Sequence, residues 1–97
     1  MIAEIKLRSH DAQSLRQIIT SALSERLQSL ESGIKSTQER IKQFETQYKL
    51  STEEFLKQFN NDELNHSFDF DEWIGETKML ETLQQKKLTI EGVEIVN

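Results

Sequence analysis

Cysteine and proline are absent from the chain of 97 residues, and glycine occurs only at positions 33, 75 and 92. Without cysteine there are no disulfides, thiolate metal ligands or cysteine nucleophiles, and the composition suits a reducing compartment. Without proline nothing cuts a helical run short. Three scattered glycines cannot assemble a phosphate-binding loop. Long apolar runs are missing too: Met1 to Ser9 alternates charged and apolar residues, unlike a signal peptide or a membrane span, so the expected location is the cytoplasm. Bulk positive charge is also lacking. The formal charge of −5 argues against a protein that holds nucleic acid through overall electrostatics.

What is present is a helical seam. Leu23, Leu27, Leu30, Ile34, Thr37, Ile41, Phe44 and Tyr48 are spaced alternately by four and three residues, which places them on one face of a helix that meets another helix. Only Thr37 interrupts the apolar run, and the residues between are Glu, Lys, Arg, Gln and Ser, with Gly33 and Thr46. The expected fold is therefore mainly all-α: a single domain over 1–97 in which a long N-terminal helix folds against shorter C-terminal helices as a hairpin. With 35% hydrophobic and 30% charged residues the chain is polar for a small monomer, as expected of an elongated fold or one that borrows burial from a partner.

Residues 1–10 read as an extended arm with Ile5 and Leu7 on one face. The long helix is expected over 11–48, roughly 57 Å in length, with Ser9 or Asp11 as cap. Gly33 marks its expected bend. Ser51-Thr52-Glu53-Glu54 is a capping box that opens a short helix over 51–60 carrying Phe55, Leu56 and Phe59. Asp69 with Glu72 repeats the capping pattern and opens a last helix over 69–88, whose expected buried stripe is Phe70, Trp73, Thr77, Leu80, Gln84 and Lys87, flanked by Ile74, Met79 and Leu83. Residues 89–97 alternate apolar and polar around Gly92 and read as an extended, strand-like tail. A last helix of this length cannot cover a first helix twice as long, so Leu15, Ile19, Leu23, Leu27 and Leu30 are expected to meet a second copy or another protein.

Charge is uneven along the chain. Ser51 to Glu76 holds eight acids against one base, Lys57, a net −7, whereas the remainder holds nine acids and eleven bases, a net +2. A basic protein surface complements such a segment. Asp69, Asp71 and Glu72 lack the glycine-bearing loop of a calcium site and read as helix-opening acids, so neither metal nor cofactor is expected. His10 and His66 have no recognisable nucleophile beside them, and no serine sits in a strained Gly-flanked elbow, so no enzyme is expected. Ile5-Lys6-Leu7-Arg8 before a helix admits one alternative, a ribbon-helix-helix DNA-binding autorepressor. The heptad seam, however, runs through the place where that fold turns.

From Tyr48 the motifs Tyr48-x-Leu50-Ser51-x-Glu53-Glu54-Phe55-Leu56-x-x-Phe59, Glu63-Leu64 and Asp69-Phe70-x-Glu72-Trp73, followed by a Leu-bearing helix, resemble the C-terminal half of small helical antitoxins of prokaryotic toxin–antitoxin pairs, in particular the partners of TumE-type toxins. The match covers about 40 residues, Tyr48 to Leu88, with Asn61-Asp62 where the pattern usually carries a glycine. The resemblance implies a protein that binds and neutralises a toxin encoded nearby, occluding it without catalysis. If that toxin is a nuclease, its basic surface suits the acidic segment. Phe55, Phe59, Asp69, Trp73 and Leu80 are the expected contacts. The alternative from a different class is a self-associating structural or adaptor protein, a homodimer or heteromer built on the same seams.

Overall fold

The computed structural model describes residues 2–96; Met1 of the expected arm and Asn97 of the expected tail lie outside the described residues. Three helices follow in chain order, α1 (Ala12–Tyr48), α2 (Thr52–Asn60) and α3 (Phe68–Glu91). α3 folds back along α1 as an antiparallel hairpin of 59 × 26 × 17 Å with a radius of gyration of 19.1 Å, against about 13 Å for a compact domain of this length. Among the described residues there is no strand. No helix is long and apolar enough to cross a membrane among these residues.

Each helix starts where a short oxygen-bearing side chain takes up a free backbone N–H. Asp11 accepts from Ser14 N at 3.0 Å, Ser51 from Glu54 N at 3.1 Å and Ser67 from Phe70 N at 3.1 Å. The capping box at Ser51 is thus half made as expected, while the Glu54 carboxylate accepts instead from Gln58 Nε2 at 3.4 Å. The cap of α3 is Ser67, two residues before the Asp69 expected from the sequence; Asp69 lies in the first turn and accepts from Tyr48 and Gln47 of α1. α1 ends at Lys49, which takes the left-handed conformation (φ 52°, ψ 47°) and donates its N–H to the Glu45 carbonyl.

α1 runs through Gly33 without a break. Gly33 lies against α3: a Cβ there would come 3.4 Å from Leu83 Cδ1. α1 is one continuous helix where a ribbon-helix-helix core turns between two, and residues 2–9 carry no regular structure.

α3 is longer than the sequence suggested, and most of the expected stripe is covered: Phe70, Trp73, Thr77, Leu80 and Lys87 are buried or half-buried. Trp73, Glu76, Leu80, Leu83, Lys87 and Ile90 form a covered stripe at four-three spacing, whereas Gln84 of the expected stripe is exposed. Residues 89–91, expected in a strand-like tail, are helical because Ile90 continues this stripe toward α1. The helix stops at Gly92, whose N–H bonds to Leu88 O at 3.0 Å. Residues 93–96 are exposed and without regular structure.

The core is small and lies at the α2 end. Trp73 stacks on Phe55 at 3.9 Å between ring centroids and 2° between planes, and on Phe44 at 5.7 Å and 14°. Trp73 Nε1 donates to Thr52 Oγ1 at 3.0 Å, and Thr52 donates through Oγ1 at 2.9 Å and N at 2.8 Å to Glu45 Oε2. One ring and one relay thereby join all three helices. Further along the hairpin Leu30, Thr37 and Ile41 are buried, and Arg40 Nε pairs with Glu76 Oε1 at 2.9 Å.

Replacing Trp73 by Ala removes both the stack and the relay, and should lower unfolding free energy by about 3–5 kcal/mol in urea titrations followed by circular dichroism. Gly33→Ala should raise it by about 0.5–1 kcal/mol in the same assay, since the helix gains propensity and the new methyl meets only the flexible tip of Leu83.

Candidate functional site

The five residues expected to contact a partner are mostly turned inward. Phe55 and Trp73 are fully buried, each with 0% exposure, so a docked protein reaches neither without opening the hairpin. Leu80 is half-buried in the stripe facing α1. Asp69 is half-buried and accepts from the Tyr48 hydroxyl and from Gln47 Nε2 at 3.4 Å. Phe59 is half-buried between Phe55, at 5.8 Å, and the edge of His66, at 5.0 Å. Phe55 and Trp73 therefore belong to the core that joins the helices and not to an open contact surface.

The acidic segment divides in the same way. Asp69 and Glu76 are committed to α1 through Tyr48 and Arg40. Glu53, Glu54, Asp62, Glu63, Asp71 and Glu72 stay exposed on α2, the loop after it and the start of α3. Among these acids Phe68 projects with 94% exposure. It occupies the first position of α3, off the stripe that meets α1. Position was the only signal in the sequence: Phe68 falls between the cap Ser67 and Asp69, where heptad spacing assigns no partner. His66 Nδ1 lies 3.8 Å from Asp71 Oδ1 on the same surface.

A second uncovered surface lies at the other end. The pairs Phe44–Trp73, Arg40–Glu76, Gly33–Leu83 and Glu31–Lys87 set the hairpin register. Continued, that register brings the end of α3 level with Leu27, leaving roughly 20 Å of α1 beyond it. Of the residues expected to self-associate, Leu30 is instead buried with 1% exposure, where the Glu31–Lys87 pair places it beneath α3. Leu27 is half-buried at the end of α3, and Leu15, Ile19 and Leu23 are half-buried on the overhang. Ile18 beside them is 62% exposed.

A shallow depression of about 520 Å³ is lined by Glu39, Lys42, Gln43, Thr46 and Gln47 of α1, all exposed. Among the described residues no three His, Asp or Glu side chains are grouped to hold a metal ion.

The hydrogen bond to Asp69, reinforced by burial and by the charge of that carboxylate, raises the Tyr48 hydroxyl above its ordinary value near 10. The unfolded chain ionises first as pH rises, so the stabilisation from this pair is complete below the unfolded value and disappears as pH climbs through the folded one. Urea midpoints measured from pH 8 to 11 should therefore fall more steeply for the wild type than for Tyr48→Phe. Equal slopes would show that the pair makes no alkaline contribution. Comparison with protein-family models, with curated proteins and with solved structures yields no match to this chain.

Proposed function

We propose that the protein is an antitoxin-like binding partner that neutralises a cognate toxin in the cytoplasm by covering its working surface, with no catalysis of its own. The observation that carries this reading is the exposed Phe68 among six exposed acids at the α2 end. A basic toxin surface of the kind that grips RNA or DNA phosphates complements it: the acids speed encounter, and the aromatic ring supplies the desolvated anchor. The motifs that carry the resemblance, from Tyr48 to Trp73, lie at the same end of the molecule, in α2, the loop after it and the start of α3. The buried stack of Trp73 and Phe55 then serves binding indirectly, by fixing α2 against the start of α3 so that acids and ring keep one arrangement.

The test is co-expression with the small protein encoded next to this chain. The neighbour alone should arrest growth, and the pair should grow and purify as a stoichiometric complex. Phe68→Ala should weaken the purified complex by about 2 kcal/mol without changing the melting temperature of the free chain, because Phe68 packs on nothing in it. Raising the salt concentration should slow association more than it speeds dissociation. A neighbour that does not arrest growth, or that fails to bind, would sink the proposal.

A further inference from the structure

We infer that the overhang of α1 is a homodimer interface, in which two copies lay their N-terminal thirds side by side, antiparallel, about a two-fold axis near Ile18 and Ile19. The first ground is the pattern. Continuing the seam of α3 upstream from Leu23 at four-three spacing reaches Thr20 and Arg16, whereas the apolar residues are Leu15, Ile18, Ile19 and Ala22. This face is displaced around the helix from the one α3 covers, so it belongs to a different helix.

The choice of occupant rests on charge, register and area. Residues 2–27 carry Lys6, Arg8, Arg16 and Arg26 against Glu4, Asp11 and Glu25. A basic partner suited to the α2 end is therefore not suited here, while a second copy is nearly neutral toward the first. With the axis between Ile18 and Ile19, Leu15 meets Ala22 of the other copy, Ile18 meets Ile19, and Asp11 lies level with Arg26 at both ends. The incoming helix also starts level with the end of α3 and runs in the same direction on a different face of α1, so the two do not compete for space. The chain exposes 8128 Å², against about 5,800 Å² for a monomer of its mass. That excess is ample for a standard interface, which takes about 800 Å² from each partner. A two-fold contact uses one patch on each copy and closes, which a head-to-tail contact between this end and the acidic end does not.

Sedimentation equilibrium of the isolated chain should give about twice 11.4 kDa at micromolar concentrations. Ile18→Glu, at a side chain 62% exposed within one copy, should keep the circular dichroism spectrum and raise the dimer dissociation constant about thirty-fold or more. Because the chain has no cysteine, introduced ones report orientation: a mixture of Leu15→Cys and Ala22→Cys chains should cross-link on oxidation. Leu15→Cys alone should not, its two copies being roughly 10 Å apart along the axis. A monomeric wild type would overturn the proposal and release the face for the toxin. An undiminished dimer in Ile18→Glu, or self-linking by Leu15→Cys, would overturn it as well.

Discussion

Trp73 is the point at which the three helices become one structure. A nine-residue helix such as α2 does not hold its shape in water by itself, and here it is held by the stacking of Phe55 on the Trp73 ring and by the relay from Trp73 through Thr52 to Glu45. The two restraints differ in kind. Stacking excludes water from a large apolar surface, and the relay satisfies polar groups that would otherwise be costly to enclose. Glu45 contributes twice, because it also takes the backbone N–H at the start of α2. The tight chain reversal at Lys49, with its left-handed backbone and no glycine, is stable only because both flanking helices are tied down in this way.

Away from this cluster the hairpin is held by less. Leu30, Thr37 and Ile41 are the buried residues of the rest of α1, and the charged pair at mid-hairpin is lopsided. Arg40 is half in water, while Glu76 is 19% exposed and its second carboxylate oxygen is buried without a partner. Such a pair orients the two helices more than it stabilises them: Arg40 can hydrate if freed, whereas an abandoned Glu76 would stay desolvated. The molecule is thus rigid at the α2 end and lightly covered at the other. That gradient matches the two proposed uses, a fixed surface for the toxin and an open helix face for a second copy.

The candidate sites were only partly legible before the fold was seen. The acidic segment is visible in the sequence, but which of its acids are free is not. Asp69 and Glu76 look no different from Asp71 and Glu72 until α1 supplies Tyr48 and Arg40 from more than twenty residues away. Aromatic residues misled for a related reason, since a ring that anchors a core and one that anchors a partner have the same spacing and chemistry. Burial separates Trp73 from Phe68, and burial depends on which neighbours the chain brings back.

Periodicity and caps by themselves determined the number of helices, the seam of α1, its start at Asp11 and the start of α2 at Ser51. These follow from local rules: which residues share a face, and which side chains satisfy free N–H groups within one turn. The tertiary structure alone decided that Glu76 and Leu83 are covered while Gln84 is not, and that α3 continues through Ile90. Ile90 shows why most plainly. In Leu88-Thr89-Ile90 the β-branched residues favour an extended chain by a few tenths of a kcal/mol, whereas apolar surface taken from water contributes about 25 cal/mol per Å², and Ile90 is half-covered only in the folded hairpin.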